Sequence, residues 1–175
     1  MPPLVSITQS TAPSTPLGAV LIASVFASTI AVWGVVSSRI VARRRATMDH
    51  MAATNIDDDM LRAQKEFIRL ANKAGGLAKW AEPSKESSKE AEAIRLVLND
   101  FELISTSIQM GIMDYSLYYK FCHGTVIKYW TAAAPFVHAL RQRTGSTTLY
   151  EEFQCLYDWV KDNKKPKGVW RKQLF

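Results

Sequence analysis

Cys122 and His123 stand side by side, with His138 and Cys155 further along, and these types bring a thiol–imidazole pair or a set of metal ligands to mind. Spacing argues against both. Adjacent helical residues point about 100° apart, so Cys122 and His123 cannot form a local pair. No C-x-x-C or H-x-x-x-H spacing supports zinc, and no metal is expected. Asp57, Asp58 and Asp59 could suggest a divalent cation, but successive helical positions do not converge on one ion. Acids at a helix start instead satisfy free amides and the macrodipole, so capping is the reading taken. No G-x-x-x-x-G-K-[ST] loop occurs, and Gly75-Gly76 follows no strand pattern, which leaves no phosphate cradle. The aromatic residues between Tyr115 and Trp130 could stack bases; at helical spacing they read as core.

The polar residues within the long helical stretches carry more information. Asn99 and Glu102 lie three apart on one helix face, and Arg141 and Arg143 close a later arm. A Glu102–arginine pair between antiparallel helices would fix their register, or line a ligand cleft. No catalytic residue and no cofactor is expected.

The elements that position these residues begin in a different solvent. Residues 17–38 carry no charge, and Arg39, Arg43, Arg44 and Arg45 follow at once. About 20 apolar residues at 1.5 Å each span the roughly 30 Å hydrocarbon core of a bilayer. A cleaved signal would need basic residues before the run and a shorter core. The arginines place the chain after residue 39 in the cytoplasm and the N-terminus outside, in the inner cell membrane. Trp33 suits the inner interface. Ala19, Ala23, Ala27, Ala31 and Gly34 form a small-residue face that would let two such helices pack closely. The Pro-, Ser- and Thr-rich residues 1–16 read as a disordered tip.

The formal net charge of +6 is unevenly spread over the 175 residues. The arginines after the span and a basic, aromatic tail (161–175) flank a mildly acidic domain. Arg39, Arg43, Arg44 and Arg45, with Lys164, Lys165, Lys167, Trp170, Arg171 and Lys172, are assigned to an anionic membrane surface. Nucleic acid is the less favoured partner for the same tail. The two cysteines, facing the cytoplasm, are expected to be free and buried as small hydrophobes.

The rest reads as helix throughout. A basic extension of the membrane helix covers 39–55, and the domain proper covers 56–160. Asn55 or Asp57 offers a start, and Gly75-Gly76 an end. From about Lys85 to Met110, Ile94, Val97, Phe101, Ile104 and Ile108 recur at three and four. Asp114 caps the next helix, in which Pro135 predicts a kink or restart. Thr148 and Glu151 match a capping box for the last helix. The expected fold is all-α: one N-terminal transmembrane helix followed by a compact cytoplasmic bundle of four or five helices.

Arg43-Arg44-Arg45-Ala46-Thr47, Leu98-Asn99-Asp100-Phe101-Glu102 and Gly111-Ile112-Met113-Asp114, with Trp130 and Arg141, resemble an uncharacterised family. Its members are short single-pass bacterial and phage membrane proteins with a cytoplasmic helical domain of unknown function. The resemblance covers about residues 39–160. It implies a membrane-anchored helical domain, brings no activity or cofactor, and highlights Arg44, Asn99, Glu102, Asp114, Trp130 and Arg141. Phe101 stands where tyrosine is also common.

The function expected from all this is non-enzymatic: a membrane-tethered module that forms a homo-oligomer in lipid and presents its domain to a cytoplasmic protein partner. Two alternatives stand beside it. One is an oligomerising effector that perturbs the inner membrane, as in phage–host conflict; the other is a weak nucleic-acid tether through the tail.

Overall fold

A computed structural model describes residues 17–164; the expected tip and the tail residues Lys165, Lys167, Trp170, Arg171 and Lys172 lie outside it. The described chain is helical without a strand: α1 (Leu17–Ile56), α2 (Asp58–Ala71), α3 (Lys89–Gln109), α4 (Tyr115–Thr144) and α5 (Glu151–Lys161). Two short 3-10 turns, Ala78–Ala81 and Pro83–Lys85, join α2 to α3. The chain divides into two units at Arg39 and Ile40.

In the first unit the apolar side chains of α1 are exposed, among them Leu21, Val25, Phe26, Ile30 and Trp33. The best window of this helix has mean hydropathy 2.1 and none of it is buried, which makes it a candidate membrane span. Its hydroxyls are already satisfied. Ser24 Oγ donates to the Leu21 carbonyl, Ser28 to Ser24, Thr29 to Val25 and Ser38 to Val35, at 2.8–2.9 Å. Local bonds of this kind remove most of the cost of placing serine and threonine in hydrocarbon. Ala23, Ala27, Ala31 and Gly34 are exposed; the side chain of Ala19 is outside the description.

The second unit starts inside α1, which runs past His50 to Ile56. Asp57 ends it and caps α2: its carboxylate accepts from the amides of Asp59 (2.9 Å) and Met60 (3.1 Å). Asp58 and Asp59 occupy the first turn. α3 begins at Lys89, a turn later than the apolar pattern alone places it, because Pro83–Lys85 forms its own turn and Ser88 Oγ takes the Ala91 amide. Gly111, at φ 69°, closes α3, and the Asp114 carboxylate accepts from the Leu117 amide at 2.8 Å to start α4.

At Pro135 the expectation of a restart is corrected. α4 is one helix of 30 residues through it. Ala133, Phe136 and Val137 around it are fully buried, so packing outweighs the one backbone bond that proline forfeits.

An aromatic column ties the four domain helices together. Phe67 of α2 stacks on Tyr129 of α4 at 4.9 Å, Tyr129 meets Phe101 of α3 at 5.4 Å, and Phe101 stacks on Phe153 of α5 at 4.3 Å. Leu70, Ile94, Leu98, Val126 and Leu156 pack around it, all with no exposed area.

Candidate functional site

Three groups of polar residues hold this bundle in register, and one opens onto a cleft. The first lies where α1 meets the α3–α4 turn. Thr47, fully buried, donates its hydroxyl to the Arg43 carbonyl and accepts the Asp114 amide at 2.9 Å. Arg44 Nε lies 3.6 Å from the Asp114 carboxylate while most of its side chain stays exposed. Two separate stretches, Arg44 to Thr47 and Gly111 to Asp114, therefore form one clasp. Arg45 pairs with Asp49 one turn on.

The second group sets the start of α5. Here the expected Glu102–arginine pair is replaced by something else. Glu102 reaches from α3 to the first turn of α5, its two carboxylate oxygens accepting the amides of Glu152 (3.2 Å) and Phe153 (2.8 Å). Arg141 reaches over from the end of α4, donating to the Leu149 carbonyl at 2.9 Å and to Gln154 Oε1 at 2.7 Å. Arg143 pairs with Glu86 at 3.0 Å. The Thr148–Glu151 capping box does not form as a side-chain cap. Tyr150 takes the cap position in the left-handed region (φ 56°) with no capping bond of its own. A carboxylate fifty residues upstream supplies what the local box would have supplied.

Trp130 lies beneath this junction, buried and edge-on to Phe153 at 5.1 Å. Asn99 points away from it: exposed, it lines a shallow depression with Glu86 and Arg95. Of the residues singled out from the sequence, Arg44 and Asp114 meet, Glu102 and Arg141 converge on α5 without touching as a pair, and Asn99 stands apart.

The third group was not singled out from the sequence. His50 of α1 and Asp100 of α3 approach to 3.2 Å, both mostly buried. They line a cleft of ≈ 390 Å³ between α1, α2, α3 and α4, together with Gln64, Tyr118, Cys122 and Lys128. The Asp100 carboxylate beside it, opposed by burial, raises the His50 pKa above its ordinary 6.5. Burial raises the Cys122 thiol and, further, the Tyr118 phenol. The neighbouring carboxylate therefore favours the charged imidazolium of His50, while burial holds Cys122 as the protonated, less nucleophilic thiol. His123 and His138 are exposed, Cys122 and Cys155 are free and half-buried, and no group of three or more metal-ligating side chains forms among the described residues. Asp100 sits within Leu98 to Glu102 and could have been noticed as an acid beside core residues. Nothing local marks His50 as its partner.

The His50–Asp100 pair gives a pH dependence whose sign is fixed. A folded-state pKa above the unfolded value means the contribution is full below the unfolded value and disappears as pH rises through the folded one. Thermal unfolding in detergent across the neutral range is expected to show the native chain losing stability with rising pH relative to His50→Gln. Parallel curves would refute the linkage.

The family model described as Domain of unknown function (DUF4760) matches residues 21–159, a span that includes most of the apolar segment and ends within α5. No curated protein matches the chain, and no solved structure matches it.

Proposed function

The chain belongs to the DUF4760 family, a domain of unknown function, and on that premise we propose that it is a non-enzymatic, membrane-tethered helical interaction module. α1 anchors it with the N-terminus outside. The helices from α2 onward form a cytoplasmic domain offered to a protein partner, and the small-residue face at Ala19, Ala23, Ala27, Ala31 and Gly34 pairs copies within the membrane.

One observation carries this reading. A single uninterrupted helix supplies both the exposed, internally hydrogen-bonded apolar stretch and the residues, Arg44, Thr47 and His50, that fasten it into the domain. Close helix pairing in lipid rests on small residues, since apolar burial offers little there.

Oxidative crosslinking in native membranes tests it. Ala27→Cys is expected to give disulfide dimers above the background of Cys122 and Cys155, and Phe26→Cys, about 100° around the helix, is not. Equal yields at the two positions, or none, would overturn the pairing. Release of the full chain into the supernatant by alkaline carbonate would overturn the anchor.

A further inference from the structure

We propose that the cleft between α1, α2, α3 and α4 binds a guanine nucleotide, the Asp100 carboxylate receiving the base and the Lys128 ammonium the phosphate. Every residue that lines it belongs to the second unit. Such a site goes beyond the tethered-module reading and does not rest on it, since it lies in the folded domain alone.

The fold leaves polar groups in this cleft without hydrogen bonds. The Asp100 side chain is only 13% exposed, and His50 Nε2, 3.2 Å away, is its one ion-pair partner among the described residues. That contact lies outside hydrogen-bond geometry, and the buried Nε2 has no hydrogen-bond partner. Both carboxylate oxygens therefore remain free to accept. Half-buried Gln64 and buried Tyr129 line the same space, and their side chains make no hydrogen bond among the described residues either. Polar groups this far from water are almost always paired in a folded domain. Here unpaired ones from α2, α3 and α4 share one space of ≈ 390 Å³, within the usual range of small-ligand clefts, about 300–1,000 Å³.

Charge selects among ligands. The Asp100 carboxylate holds the His50 imidazole towards its charged form, so an organic ammonium at Asp100 would meet a second cation there. A neutral head with two adjacent N–H donors occupies both carboxylate oxygens and adds no charge. Guanine offers this edge in its N1–H and 2-amino group, a bidentate match to a carboxylate. Adenine turns an unprotonated N1 lone pair towards the same oxygens and is repelled. Met51, Ile68 and Ile104 supply apolar wall for a planar ring. Lys128 lines the cleft from α4, exposed and without an ion pair among the described residues. Its positive charge is left for a phosphate.

Isothermal calorimetry on the full chain in detergent micelles decides the matter. GMP is expected to bind at least about tenfold more tightly than AMP, and than IMP, which lacks the 2-amino group, since one hydrogen bond to a charged acceptor is worth that factor or more. Asp100→Asn should weaken GMP about tenfold or more, an amide offering one acceptor where the carboxylate offers two. Lys128→Ala should bring GMP down to the affinity of guanosine and leave guanosine itself unchanged. Lys128 is exposed, so this variant keeps the test open if Asp100→Asn disturbs the fold. No saturable heat with GMP, equal affinity for GMP and AMP, or GMP binding indifferent to Lys128→Ala overturns the proposal. Tighter binding of spermidine than of GMP gives the cleft to an organic cation and overturns it as well.

Discussion

Replacing Phe153 with alanine is expected to cost the domain about 3–5 kcal/mol of unfolding free energy, the usual range for a buried phenylalanine. Phe153 has no exposed area. It is stacked on Phe101 with the rings 4° from parallel and meets Trp130 edge-on, contacts that add roughly 0.5–1.5 kcal/mol each to plain burial. It is also the residue whose backbone amide Glu102 binds, so its loss loosens α5 through packing and capping together. The cavity would open at the meeting point of three helices, where collapse is hardest. Phe153→Leu keeps most of the volume and is expected to cost under about 1.5 kcal/mol. Phe121→Ala, at a residue 60% exposed, is expected to stay within about 0.5 kcal/mol. Urea unfolding in detergent micelles, followed by helical circular dichroism, gives the three values. A Phe153→Ala cost no larger than that of Phe121→Ala would mean that the aromatic column is not the centre of the fold.

Features written in short sequence windows were legible before the structure. The charge-free run at 17–38 depends only on composition, and α1 carries it on an exposed surface. Asp57 and Asp114 cap helices through bonds to amides two or three residues away, so spacing alone finds them. The stripe from Ile94 to Ile108 is buried as its period requires. What spacing cannot give is a bond that crosses the bundle. Thr148 and Glu151 satisfy the local pattern of a capping box, yet Glu102 takes the α5 amides because α3 and α5 pack side by side and a charged acceptor is already there. The sequence marks Glu102 and Arg141 as register residues but not their partners, since helix pairing says which faces meet and not which end of a side chain arrives. His50 and Asp100 show the limit most plainly. Each is an ordinary polar residue on an ordinary helix, and only the packing of α1 against α3 makes them a pair.

The second large effect follows from the same junction. Glu102→Ala removes a charged acceptor from two amides at the start of α5, and hydrogen bonds to charged groups contribute about 1.5–3 kcal/mol each, less where water can replace the lost partner. The α5 start is half-exposed at Glu152 and fully buried at Phe153, so one amide can turn to water and the other cannot. The expected cost is therefore about 2–3 kcal/mol rather than the sum of two bonds. Glu102→Gln retains one carbonyl oxygen for the Phe153 amide and should recover roughly half. An independent readout follows the charge of Glu102 at the start of α5. Burial first, and then the neighbouring charges of Glu102 and Glu151, hold the Glu152 carboxyl above its ordinary pKa. A raised carboxyl opposes folding once ionised, so its penalty is present above the folded-state pKa and is relieved as pH falls through it towards the unfolded value. Neutralising Glu102 in the glutamine variant removes one of those charges and should lower the Glu152 pKa, which carboxyl-carbon NMR titration resolves. If Glu152 titrates identically in the native chain and in Glu102→Gln, the carboxylate of Glu102 is not at the head of α5, and the three-helix junction built on it fails with it.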